Sequence, residues 1–101
     1  MKRTDIVSQI SGFLHRIEPT ADVVLYGSEA RGDARADSDI DLLIMLDNPD
    51  MEKQWAITDG LLDIEASMGV SVSSYIVPKS WWNQKPATPF SINVHNEGIL
   101  I

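Results

Sequence analysis

Apolar residues recur at spacings of three and four in two segments of the chain, which is the period of an amphipathic α-helix. The first segment covers residues 3–17 and is followed by Pro19. The second covers residues 51–68 and is followed by Gly69, in the position of a helix C-cap. We therefore predict a helix over each segment. The apolar positions are Ile6, Ile10, Phe13, Leu14 and Ile17 in the first, and Ile57, Leu61, Ile64 and Met68 in the second.

Three shorter apolar segments have the content and length of β-strands. They are residues 22–26, 39–46 and 70–77, and turn-forming residues follow the second of them. Residues 29–38 are rich in Gly, Ala, Asp and Arg, which predicts a short helical turn followed by a loop. A last short helix is predicted over residues 89–98, whereas the preceding Trp- and Pro-rich stretch is expected to be irregular or briefly helical.

The order of these elements is helix, strand, turn, strand, helix, strand and helix. Such an order predicts an α/β (α+β) fold, in which a small mixed β-sheet has helices packed mainly on one face. With 101 residues, and neither a repeat nor a linker, we expect residues 1–101 to form a single domain.

Composition narrows the classes of function. The chain carries 15 acidic and 8 basic residues, for a net charge of -7, so a nucleic acid is an unfavourable partner. It has no cysteine, which excludes disulfides and thiolate zinc sites. No stretch approaches the roughly 20 apolar residues that span a bilayer. We therefore expect a cytoplasmic protein without a membrane association.

Two acidic residues at the start of the second strand are the strongest chemical signal. Asp39 and Asp41 are separated by one residue, so on a strand their side chains project to the same face. Two like charges side by side are costly unless a cation offsets them. Carboxylates together with phosphate oxygens are the ligands that Mg²⁺ takes in proteins. A solvated acidic strand end is the alternative interpretation.

A second feature, Gly27-Ser28, ends the first strand shortly before these acids. Gly27 permits close approach of the backbone to a phosphate, and the Ser28 hydroxyl with nearby N–H groups can bind phosphate oxygens. Arg31 could add a charge-assisted contact. Taken alone, Gly27-Ser28 is equally well explained as an ordinary strand-to-helix turn. Its combination with Asp39 and Asp41 favours a nucleotide site.

The segment from Gly27 to Leu42 resembles the active-site motif of DNA polymerase β-like nucleotidyltransferases, in which Gly-Ser, ten residues and Asp-x-Asp follow one another. It is most similar to the small prokaryotic minimal nucleotidyltransferases. The resemblance implies that Gly27 and Ser28 hold the triphosphate, expected to be ATP. It also implies that Asp39 and Asp41 are catalytic and bind magnesium, with two Mg²⁺ ions alongside the nucleotide. Members of this branch pair with helical HEPN-type proteins as antitoxins in toxin–antitoxin modules.

The sequence departs from that family at two positions. Active members carry a third carboxylate on the next strand, and Ser71 is the residue we expect at its position. Glu29 replaces a residue that is often basic, and so brings a negative charge beside the phosphate site. These departures weaken the case for catalysis without removing nucleotide binding.

Two functions therefore remain open. One is an enzyme that transfers a nucleoside monophosphate to a hydroxyl of a protein or small molecule, as antitoxin to a HEPN-type toxin. The other is a catalytically weak or inactive relative that acts by forming a complex with a helical partner.

Overall fold

A computed structural model gives the structure of residues 2–84 and 87–101. The elements in chain order are α1 (Arg3–Ile17), β1 (Asp22–Tyr26), α2 (Gly27–Arg31), β2 (Ile40–Leu46), α3 (Met51–Met68), β3 (Val72–Pro78), α4 (Trp81–Gln84), α5 (Pro89–Glu97) and β4 (Ile99–Leu100). None of the helices in this part of the chain is long and apolar enough to cross a membrane.

The helices α1 and α3 and the strand β1 have the bounds that the sequence predicts. The bounds of α3 could be predicted because a capping residue stands at each end. The side chain of Asp50 accepts a hydrogen bond from the Lys53 N–H at 2.9 Å, and Gly69 ends the helix at φ 68°. The predicted strand over 70–77 begins two residues later, at Val72. In the Trp- and Pro-rich stretch α4 is helical, and residues 85 and 86 lie outside the described part.

The sheet has four strands in the order β3-β2-β1-β4. The pairs β1–β2 and β1–β4 are antiparallel, whereas β2 and β3 are parallel and are joined through α3. A mixed sheet of this kind confirms the predicted fold class. The two-residue strand β4 was not predicted.

Successive side chains of β2 point to opposite faces of the sheet, and each face carries its own apolar core. On the first face, Ile40, Leu42, Ile44 and Leu46 pack with buried residues of α1 and α3. On the second face, Leu43 and Met45 pack with Val24 and Val94, and with the half-buried Trp81, Trp82 and Phe90. The two long helices thus lie on the first face as expected, and the second face is covered by the short C-terminal helices.

The contact between α1 and α3 depends on a small residue. A Cβ at Gly60 of α3 would overlap the ring of Phe13 on α1. Glycine at this position therefore lets the two helices close over the first core, where Ile10, Leu14 and Ile57 are completely buried. Each such side chain contributes about 1.5–3 kcal/mol by leaving water.

Candidate functional site

Gly27 directly follows β1 and turns the chain into α2. Its φ of 74° lies in the left-handed region, which disfavours any residue with a side chain. A Cβ at this position would also overlap the carboxylate of Asp41. The glycine therefore meets two requirements at once, the turn and the close approach of β1's end to the start of β2.

Asp41 lies near the start of β2, between the neighbouring strands β1 and β3. It lies opposite Tyr26 in the antiparallel pair with β1, and opposite Ser73 in the parallel pair with β3. By alternation it points to the second face, the face of Leu43 and Met45. Asp39 comes one residue before β2 and is exposed, whereas Asp41 is half-buried. The sequence had placed both acids on the strand.

The two acids interact electrostatically. Burial, and next the negative charge of Asp39, raise the pKa of Asp41 above its usual value, and the positive charge of Arg31 partly opposes them. A proton or a cation bound to Asp41 would each lower the free-energy cost of placing this half-buried negative charge beside Asp39. The structure therefore brings together the predicted acid pair, Gly27 and Arg31 at one end of β2.

Arg31 already has two acidic partners in this arrangement. Its Nε donates to Asp33 Oδ2 at 3.2 Å, and its Nη1 donates to Glu97 Oε2 on α5 at 3.0 Å. Ion pairs at an exposed surface contribute little to stability, so Arg31 can exchange these partners for a phosphate at low cost. The second of them fastens α2 to α5 beside the site.

Glu29 does not leave an uncompensated charge, contrary to the concern raised by the sequence. Its Oε1 accepts a hydrogen bond from Arg3 Nε at 2.6 Å. The same guanidinium donates to the carbonyl oxygens of Ala36 at 3.2 Å and Ser38 at 2.7 Å. Arg3 therefore neutralises Glu29 and also fixes the loop that leads into Asp39. No signal in the sequence connects Arg3 with residues so distant along the chain.

The position beside Asp41 on β3 differs from the predicted one. We expected Ser71 to replace the third carboxylate, but Ser71 precedes β3, and Ser73 is the residue directly opposite Asp41. Ser71 instead accepts the N–H of Ile40 through its carbonyl oxygen at 2.8 Å. Either way the side chain is a neutral hydroxyl. Among residues 2–84 and 87–101, no group of three or more Asp, Glu or His side chains could hold a metal ion.

The acids of α3 do not supply the missing carboxylate. Glu65 accepts the N–H of Val72 at 3.1 Å, which holds the start of β3. Asp63 is exposed on the same helix, which packs on the first face, whereas Asp41 points to the second.

Three aromatic rings border the site on the second face, and the sequence analysis missed all of them as site residues. The ring centroid of Phe90 lies 5.5 Å from that of Tyr26 and 5.1 Å from that of Tyr75. Burial, then the charge of Asp41 and then Tyr75 raise the pKa of Tyr26 to about 12, so its hydroxyl stays protonated. In the sequence, only the position of Tyr26 immediately before Gly27 indicated that one of these rings lies near the site.

The donor set suits Mg²⁺ that arrives with phosphate oxygens. Asp39 and Asp41 offer two hard oxygen donors, and burial together with the charge of Asp39 raises the pKa of Asp41 above its usual value. Mg²⁺ in proteins commonly takes one or two carboxylates and completes its shell with water and phosphate. The residues present therefore fit a substrate-borne magnesium ion better than a metal held by protein ligands alone.

Comparison with known proteins shows the family of the chain. Residues 7–98 match the model of the nucleotidyltransferase domain family. No curated protein matches the chain. The structure of a candidate minimal nucleotidyltransferase is 25% identical, with a TM-score of 0.64, and the match covers 98% of this chain and 91% of that one.

Two structures of toxin–antitoxin proteins share the fold. One was determined with AMP-PNP, is 17% identical and has a TM-score of 0.62, over 95% of this chain and 69% of that one. The other is a mutant of the MntA-HpeT toxin–antitoxin, 18% identical with a TM-score of 0.59, over 93% of this chain and 68% of that one.

Proposed function

Because this chain belongs to the nucleotidyltransferase domain family, we propose that it binds magnesium-bound ATP between Gly27 and Asp41. We further propose that it transfers AMP from ATP to a hydroxyl group of a partner protein. The close approach of Gly27 to the Asp41 carboxylate carries this proposal, because it places a turn that leaves no room for a side chain beside an acid that can serve as a metal ligand. The similarity to a toxin–antitoxin structure with AMP-PNP supports the choice of an adenine nucleotide.

In this proposal each residue has a defined task. Asp39 and Asp41 bind Mg²⁺ together with the triphosphate oxygens, and Gly27 and Ser28 hold the β- and γ-phosphates. Arg31 exchanges its acidic partners for a phosphate oxygen. When bound, magnesium neutralises the charge that develops on the phosphates. The acceptor oxygen forms a bond to the α-phosphorus, the bond from that phosphorus to the β-phosphate oxygen breaks, pyrophosphate leaves, and the hydroxyl proton passes to solvent.

The proposal also concerns the partner protein. We propose a helical protein of the HEPN type, with this chain as its antitoxin. The fold is shared with two toxin–antitoxin structures, which supports that pairing. A tyrosine hydroxyl of such a partner is a suitable acceptor.

A second function is favoured by Ser73, which stands opposite Asp41 where a third acid would complete the metal site. Loss of a general base typically slows a reaction by about 10² to 10⁴. The chain would then act as a nucleotide-binding protein that neutralises its partner by forming a complex.

Transfer of label from [α-³²P]ATP to a candidate HEPN-type partner protein separates the two functions. Label that requires magnesium and disappears in Asp41→Asn supports the enzyme. Asp37→Asn is the matched control, because Asp37 is an exposed acid of the loop that leads into β2 and lies outside the proposed site. A stable complex without label, unchanged in Asp41→Asn, supports the binding protein.

The variant Ser73→Asp tests directly whether the absence of a third carboxylate limits the transfer reaction. It places a third carboxylate beside Asp41, so we expect faster transfer if the enzyme function holds. Ser71→Asp, before the start of β3, is expected to have a smaller effect. If neither wild type nor Ser73→Asp binds MgATP in a calorimetric titration, the nucleotide site itself is refuted.

A further inference from the structure

Helix α3 carries a row of large apolar side chains that lies away from its buried face. Met51, Trp55 and Leu62 are 63%, 64% and 56% exposed. Spacings of four and seven residues place them along one line of the helix. We call these three residues the α3 stripe. The buried residues of α3, Ile57 and Leu61, lie on the other side of the helix.

The α3 stripe belongs to neither of the two apolar cores of the described residues. Single exposed apolar residues are normal at a surface, but an aligned set that includes a tryptophan marks an interaction site. Tryptophan is also enriched among the residues that dominate binding energy at protein interfaces. The α3 stripe therefore has the features of a surface that binds another protein chain.

Acidic residues border the α3 stripe. Glu52 and Asp59 are exposed and lie three residues before and four residues after Trp55, which makes them its neighbours on the helix surface. Asp63 continues this acidic border one turn further. The one basic residue of α3, Lys53, is four residues from the buried Ile57 and therefore faces away from the stripe.

This charge pattern decides which occupant fits. A second copy of the chain, packed through the same surface on both sides, would bring the acids of one copy against the acids of the other. The overall charge of -7 adds to that repulsion. A partner with basic residues beside an apolar row would instead be attracted.

We propose that the α3 stripe is the docking site for a partner helix whose apolar face is bordered by Lys or Arg. The proposal rests on the proposed function only for the idea of a helical protein partner. The stripe belongs to the helix layer on the first face of the sheet, whereas Asp41 points to the second. Partner and nucleotide can therefore be bound at the same time.

Two synthetic helical peptides test this proposal on the intact chain. Each has about 18 residues, roughly 27 Å of helix, and the same row of leucines. One carries Lys and Arg beside that row and the other carries Glu. We expect the basic peptide to bind, with affinity that falls as salt is raised, and the acidic peptide to bind at least about tenfold more weakly.

Variants locate the bound peptide. Trp55→Ser is expected to weaken binding of the basic peptide at least about tenfold. Ile92→Ser is the matched control, because Ile92 is also an exposed apolar residue, on α5, and should leave the affinity unchanged. The double variant Glu52→Lys with Asp59→Lys should reverse the preference, so that the acidic peptide binds better. Circular dichroism establishes that each variant is folded.

Three results would overturn the proposal: equal binding of both peptides, affinity unaffected by Trp55→Ser, and self-association of the chain that Trp55→Ser abolishes in sedimentation. The last would assign the stripe to a second copy. Titration of Trp55→Ser with MgATP separates this proposal from the nucleotide site, since the titration is expected to match wild type whichever result the peptides give.

Discussion

Replacing Gly27 by alanine is the sharpest test of the candidate site. Alanine at this position has to adopt a φ of 74°, which strains the backbone, and its Cβ overlaps the Asp41 carboxylate. Gly32 offers a matched control within the same segment, because its φ is 83° but a Cβ there would meet nothing within 4 Å. Gly69, at φ 68° and equally open, is a second control on a different element.

The backbone cost is common to the three variants. A residue with a side chain in the left-handed region loses about 1–2 kcal/mol. For a domain of this size each kcal/mol lowers the melting temperature by about 4–8 °C. We therefore expect all three variants to melt lower than wild type. Gly27→Ala alone carries the additional cost of displacing a carboxylate that packs against the backbone of the turn.

Nucleotide affinity distinguishes the variants. We expect Gly27→Ala to bind MgATP at least tenfold more weakly, which corresponds to about 1.4 kcal/mol, while Gly32→Ala and Gly69→Ala retain most of the wild-type affinity. Isothermal titration calorimetry below the melting temperature of every variant gives the comparison. Equal affinity of Gly27→Ala and Gly32→Ala would refute the argument that Gly27 positions Asp41.

Three further predictions concern stability. Because the folded-state pKa of Asp41 is raised, its charged form destabilises the fold. The variant Asp41→Asn should therefore have a higher melting temperature than wild type at neutral pH without magnesium. This difference in melting temperature should disappear as the pH falls from the raised pKa towards 3.8. Arg3→Met leaves Glu29, 11% exposed, without its cation and should cost about 1–3 kcal/mol in urea unfolding. Gly12→Ala should stabilise by about 0.5–1 kcal/mol, whereas Gly60→Ala should destabilise by overpacking.

Each of these predictions has a result that contradicts it. A melting gain in Asp41→Asn that persists into acid would mean that the charge of Asp41 is not its cause. Arg16→Met, at an exposed arginine of α1, is expected to stay within about 0.5 kcal/mol of wild type, and an equal loss there would remove the special role of Arg3. If Gly60→Ala stabilises as Gly12→Ala does, the ring of Phe13 is not the obstacle described.

The sequence is a good guide wherever the determining contacts are local. The bounds of α3 follow from its apolar period and its capping residues. Those of α1, whose start has no side-chain cap, follow from its apolar period and from Pro19 beyond its end. The bounds of β1 follow from a short apolar run that ends at a glycine. The convergence of Gly27 and Asp41 could also be anticipated, because a single antiparallel pair of neighbouring strands brings them together.

Longer-range features escaped prediction for physical reasons. Ser71 and Ser73 share one face by alternation, so only the register of the parallel pair β2–β3 decides which of them stands opposite Asp41. That register depends on how α3 crosses the sheet. The clamp that Arg3 forms on Glu29 joins residues 26 positions apart, and no periodic signal reports such a contact.

The short strand β4 has a practical consequence for handling this protein. It pairs with the outer side of β1, where Val24 lies opposite Leu100, and the N–H of Ile101 donates to the carbonyl oxygen of Val23 at 2.9 Å. Deleting residues 99–101 would uncover a hydrophobic strand with unpaired backbone groups, which is a template for pairing with another molecule. Preparations trimmed at this point should therefore aggregate at lower protein concentrations than the full sequence.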